Sequence, residues 1–130
     1  MAIRFATRAE DGVLMVEASG FDESPQEVQA YGVALVEAAR AAGTNLVYCD
    51  ERELDYRISI GDAFATAKFI ANLTREARRV GLVCAPRHFQ AGDFWASVAS
   101  NRGLKVRVFT DPSRALAWVK TGADGPQVVV

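Results

Sequence analysis

The apolar positions change rhythm several times along the chain, and each change marks an element. Residues 3–7 and 13–18 are β-rich runs joined through Glu10-Asp11-Gly12, which predicts an N-terminal hairpin. Ser24-Pro25-Gln26-Glu27 is a capping box with proline at the first helical position. Behind it Val28, Tyr31, Leu35, Ala38 and Ala42 recur at helical spacing until Gly43 closes the helix. Residues 45–50 (NLVYCD) form a short continuous apolar run, as a parallel strand buried on both faces requires. The charged stretch 51–58 reads as irregular, with a short extended piece at 54–57. Ser59-Ile60-Gly61-Asp62 then starts a second helix, with Phe64, Ala67, Ile70, Ala71 and Leu73 as its apolar face.

Residues 79–85 (RVGLVCA) predict another buried strand, ended by Pro86. A helix over 93–101 buries Phe94 or Trp95 with Val98, and Gly103 stops it. Residues 104–109 form a strand with alternating Val106 and Val108. Asp111-Pro112 caps a last helix with Leu116 and Val119 inward, Trp118 at its margin and Gly122 at its end. The order is β-β-α-β-α-β-α-β-α, an α/β domain with a mostly parallel five-stranded sheet, an N-terminal antiparallel hairpin and four helices. A single domain is expected over 1–122, with 123–130 as a C-terminal tail. The strand-to-helix loops at 20–24, 51–59, 86–92 and 110–111 gather at the carboxyl end of the strands, where ligands bind in open α/β sheets.

Composition narrows the class. The chain has 130 residues, 50% of them hydrophobic and 24% charged, the balance of an ordinary folded domain rather than a disordered or repetitive segment. No apolar run approaches the ~20 residues of a membrane span. The start, Met1-Ala-Ile-Arg-Phe-Ala, lacks the apolar stretch of a signal peptide, so the protein is expected to be cytoplasmic. Cys49 and Cys84 sit inside apolar runs, and His88 is the single histidine. That set cannot supply the four ligands of a structural zinc site, so buried free thiols and no metal are expected. Neither phosphate-cradling glycine motif, GxGxxG or GxxxxGK[ST], occurs, and no cofactor is expected. The net charge of −1 conceals a division: residues 1–65 carry −7 and residues 66–130 carry +6.

Two runs carry a family resemblance. GTNLVYCDERELDYRISIGDAF resembles the central strand–loop–helix of STAS domains, and FWASVASNRGLKVRVFTDPSRALAWV resembles the closing helix–strand–helix of stand-alone SpoIIAA-like proteins. These are the anti-sigma-factor antagonists of bacteria, and the likeness spans roughly residues 13–119. It implies a β-α superhelix in which sequence neighbours are spatial neighbours, a topology shared with CRAL-TRIO lipid carriers. The acidic and basic halves would then stay apart, favouring self-association or an oppositely charged partner. In such proteins a serine within Asp-Ser-Ser-Gly-Leu, at the start of the helix after the central strand, is phosphorylated. Ile58-Ser59-Ile60-Gly61-Asp62 occupies that place here, keeping Ser59 and Gly61 but not the flanking aspartate and leucine. A phosphate on Ser59 would be attracted by the helix N-terminus and repelled by Asp62; without one, Ser59 is an N-cap.

The remaining chemistry-bearing residues allow three readings. Asp50, Arg52, Arg57, Arg87 and His88 fall in the strand-end loops and can form a partner- or anion-binding surface, or merely local ion pairs. The expected function is therefore a non-enzymatic regulatory module that binds a protein partner, or a second copy of itself, at those loops and the Ser59 helix start. The alternative is a carrier or sensor of a small anionic or lipid-like ligand. An enzyme using Cys84 or Asp50 with His88 is disfavoured, because a cysteine in an apolar strand keeps its proton. The pI near 5.8 argues against nucleic acid as a partner.

Overall fold

The computed structural model describes residues 2–74 and 77–123. It begins with the expected hairpin, in which β1 (Ile3–Glu10) pairs antiparallel with β2 (Val13–Phe21). Asp11 and Gly12 both adopt positive φ, 53° and 76°, the left-handed pair that a two-residue hairpin needs to match strand twist. Next, α1 (Pro25–Ala42) starts where Ser24 accepts a hydrogen bond from the Glu27 amide and ends at Gly43 in the left-handed conformation. The Glu27 carboxylate does not close the capping box on Ser24. It accepts instead from the amides of Glu23 and Ala2, tying the helix start to the first strand.

After α1 come β3 (Leu46–Asp55), α2 (Ile60–Leu73), β4 (Arg79–Cys84), α3 (Phe89–Asn101), β5 (Val106–Phe109) and α4 (Pro112–Thr121). The sheet runs β1-β2-β3-β4-β5, parallel from β2 onward. Sequence neighbours are thus spatial neighbours, and the acidic residues of β1–β3 lie at the opposite side of the sheet from the basic β4 and β5. Right-handed crossovers between successive strands place α1, α2 and α3 on one face; α4 follows the last strand and covers the other. Two clusters meet beneath the three helices, one around Leu14, Val16, Tyr31, Cys49 and Leu54, the other around Ala67, Ile70, Cys84, Ala99 and Val106. Under α4 lie Val13, Tyr48, Val83, Phe109, Trp118 and Val119. A Cβ added to Gly81 would stand 2.7 Å from Val119 Cγ2 and 3.4 Å from the Ala115 carbonyl oxygen, so α4 seats on a glycine.

Four expectations need correction. Residues 51–55 are not irregular, because β3 continues to Asp55 by pairing with β2 as far as Phe21. The third helix begins at Phe89, preceded by a 3-10 turn at Pro86–His88, and not at residue 93. Phe64, expected on an inward face, is 42% exposed, and of the alternatives Phe94 and Trp95 it is Trp95 that packs against the core while Phe94 is 38% exposed: helical spacing defines a face, whereas only a neighbouring element decides whether that face is covered. Trp118 lies in the core, not at its margin, with its ring 5.9 Å from that of Phe109. Of the expected tail, 124–130 lies outside the described residues.

Candidate functional site

A bulge builds the site. Glu17 pairs with Asp50 and Ser19 with Glu53, so one residue of β2 faces two of β3. An extra residue in one strand reverses which face its later side chains point to. Val47, Cys49 and Glu51 therefore face α1–α3 with odd numbering, and Leu54 and Tyr56 continue on the same side with even numbering. Alternation from Val47 and Cys49 thus carries the Glu51 carboxyl into the apolar layer, and the bulge brings Tyr56 to the same side. Glu51 is buried, accepting a hydrogen bond from the Tyr31 hydroxyl at 2.8 Å and from the Tyr56 hydroxyl at 2.6 Å. The Phe5 ring, edge-on to Tyr31 with centroids 5.2 Å apart, holds that phenol in place. Burial pushes the Glu51 carboxyl above its usual range; the two tyrosine hydrogen bonds oppose this, and the nearby carboxylates Asp22 and Asp50 reinforce it. Burial likewise drives both phenols well above theirs.

This triad forms the polar end of a cavity of about 190 Å³ between the sheet and the helices α1 and α2. Its walls are otherwise mostly apolar, among them Val28, Leu35, Val47, Leu54, Ile70 and Leu82. Alternation from Val47 and Cys49 points to Glu51, but it opens the charged run ERELDYR, which reads as irregular, and the bulge that brings Tyr56 beside it depends on the partner strand.

The loop after β3 is held from two sides. Asp22 accepts hydrogen bonds from the amides of Arg57 and Ile58, and His88 Nε2 lies 2.7 Å from Asp55 Oδ1. Asp55 also accepts from Arg57 Nε at 2.7 Å, and these contacts hold its carboxyl below the usual range. The Arg57 guanidinium stacks 4.1 Å over the Phe21 ring. Burial raises Asp22, against the pull of its two backbone donors.

The expected surface residues thus divide. Arg57 and His88 meet through Asp55. Asp50 and Arg52 form their own pair at 2.7 Å on the opposite face of β3, which lowers the Asp50 carboxyl. Arg87 is exposed in the 3-10 turn. Ser59 caps α2 by accepting from the Asp62 amide at 3.1 Å, and is itself exposed. Directly after it Ile60 is 76% exposed, and Phe64 stands one turn further on beneath the Arg102 guanidinium at 5.2 Å.

Neither Cys84 nor Asp50 is the partner of His88. Cys49 and Cys84 are free and buried, as expected. Burial pushes the Cys84 thiol up to about 11, so at neutral pH it is protonated and a poor nucleophile. Among the described residues no group of three or more His, Cys, Asp or Glu is placed to hold a metal ion, and no helix is long and apolar enough to cross a membrane.

No family model matches the chain, and no curated protein does. Solved structures do. One is an uncharacterized protein of the DUF3478 family with a SpoIIAA-like fold from Shewanella loihica, 21% identical, with a TM-score of 0.58. Another is an anti-sigma factor antagonist from Mycobacterium paratuberculosis, 16% identical, with a TM-score of 0.61. Each likeness covers 91% of this chain and 94% of the other. Together with the strand order and the single antiparallel pair, they identify the fold as SpoIIAA-like.

Proposed function

We propose that this chain is a non-enzymatic regulatory module that docks a protein partner at the carboxyl end of the sheet, on the loop 51–59 and the first turns of α2. The observation that carries the reading is the Ile60–Phe64 pair, two large apolar side chains left in solvent beside a loop that is itself held by Asp22 and His88. Exposed apolar side chains next to charged ones are the composition of a binding surface. Arg57, Arg87 and His88 supply polar contacts on that side, and Asp50 and Arg52 form a separate charged pair on the opposite face of β3. The likeness to an anti-sigma factor antagonist supports a role that works by association rather than turnover. Ser59 is the proposed switch: phosphate there gains the helix N-terminus, loses the cap to Asp62 and changes the charge beside Ile60.

Native mass spectrometry of the protein isolated gently from its own cells tests this. The reading expects a stoichiometric protein complex that Ile60→Asp abolishes while leaving the circular dichroism spectrum unchanged. A complex indifferent to Ile60→Asp places the partner elsewhere. A protein isolated alone, without partner or phosphate, overturns the reading.

A second reading, a small-molecule carrier or sensor, is favoured by one observation, the 190 Å³ cavity under α1 and α2. A carrier retains its ligand through purification and gains thermal stability from it.

A further inference from the structure

The cavity's size and the hydrogen-bonded triad at one end restrict what it can hold. A dry apolar cavity of about 150 Å³ accommodates benzene. A volume of about 190 Å³ therefore suits one ring with a short substituent, and is too small for a long acyl chain. Val28, Leu35, Leu54 and Ile70 on the walls offer no orientation to a ligand, and the other polar residues of the lining are Asp22, Arg40, Thr44, Asn45, Thr74 and Trp95. Orientation can come from Glu51, whose two oxygens each accept one tyrosine hydrogen bond. A carboxylate has about four lone-pair sites, so acceptor capacity remains on both oxygens.

The electrostatics of the triad point the same way. Tyr31 and Tyr56 spend their protons on Glu51 and have none left to offer an anion. The charged groups that act most strongly on Glu51 are the carboxylates Asp22 and Asp50, and its neighbours Cys49 and Cys84 are protonated thiols. Among the described residues the one guanidinium on the cavity wall belongs to Arg40, whose backbone lies about 13 Å along α1 from that of Tyr31. A buried carboxyl group held only by two neutral hydroxyls gains from a further donor.

We infer that the cavity binds a compact apolar molecule, one ring in size, bearing a hydrogen-bond-donating head that seats on Glu51 between Tyr31 and Tyr56. The head is an ammonium or a hydroxyl, and a carboxylate is rejected. This inference rests on the carrier reading and replaces its anionic or lipid-like ligand with a narrower class.

Four probes of one size separate the possibilities: benzylamine, benzyl alcohol, toluene and benzoate, each titrated by calorimetry and by thermal shift. At least one of the two donors is expected to bind about tenfold tighter than toluene, the yield of one hydrogen bond to a charged or polar acceptor. Benzoate is expected to bind more weakly than toluene. In Glu51→Gln, which keeps the shape, the benzylamine advantage should vanish while toluene affinity stays unchanged. Equal binding of toluene and both donors overturns the donor inference and leaves the carrier reading standing. Benzoate binding tightest overturns it in favour of an anion site. Failure of all four to bind or to raise the melting temperature overturns the carrier reading as well.

Discussion

His88 Nε2 meets Asp55 Oδ1 at 2.7 Å, joining the turn after β4 to the end of β3 across 33 residues of sequence. The Tyr56 ring lies 5.1 Å from the imidazole, so the same contact also backs one of the two phenols that hold Glu51. The loop at the proposed docking end and the polar end of the cavity are therefore mechanically linked.

Loss of this link should loosen the loop before it unfolds the domain. In His88→Ala, amide hydrogen exchange of 55–59 is expected to speed up while the β2–β4 amides keep their protection, measured by mass spectrometry at neutral pH. Equal acceleration throughout would show that His88 supports the whole fold. Asp55 adds a pH signature. Its folded-state pKa lies below the ordinary 3.8, so its contribution is present above that value and lost as pH falls through the folded pKa. Asp55→Asn should remove this acid-side component from urea melts collected below pH 4.

Glu51 has the opposite sign. Its folded pKa is raised above 4.5, so the stability it contributes is present below that value and is lost as pH rises through the folded pKa. Glu51→Gln removes the charge, and its amide can donate to one tyrosine oxygen while its carbonyl accepts from the other. The variant is expected to be more stable than the parent at pH 8 by about 1 kcal/mol, with no advantage at pH 4. A variant destabilised at both pH values would mean that the carboxylate is matched by its surroundings.

The thiols give a simple test of the core. Cys49 and Cys84 are buried, and both thiols are raised, Cys84 to about 11. Neither should be alkylated by iodoacetamide within an hour at pH 7.5 in native protein, and both should react within minutes in denaturant. Rapid native labelling of Cys84 would reopen a catalytic reading for it.

Much of this architecture is legible in the chain because its signals are local. Ser24, Ser59 and Asp111 each cap the helix that follows, and the glycines at 43 and 122 end α1 and α4 in left-handed conformations. The run VYC is buried as a parallel strand must be. The site is legible only in part. Ser59, Arg57 and Arg87 stand where loop positions suggest, whereas Arg52 lies within β3 and Glu51 reads as one more charge in ERELDYR. Alternation with Val47 and Cys49 turns it inward, and the extra residue that β3 carries opposite Ala18 brings Tyr56 to the same side, a property of two strands in register and not of either alone. The partner of His88 is hidden for the same reason: Asp55 is brought to it by a strand end that, in sequence, resembles a loop.

Ser59 separates local structure from regulation. Its hydroxyl satisfies the Asp62 amide, one of the donors that a helix start leaves without an intrahelical partner. Ser59→Ala should therefore cost about 1 kcal/mol in chemical denaturation, and Ser59→Asp, whose carboxylate also caps, should restore most of it. A purely structural serine predicts that partner binding follows these stabilities, with Ser59→Asp behaving as the parent. A switch predicts a split instead. Ser59→Asp, stable but negatively charged beside Ile60, should lose the complex that Ser59→Ala retains. Measuring stability and complex formation on the same two variants distinguishes the cap from the switch.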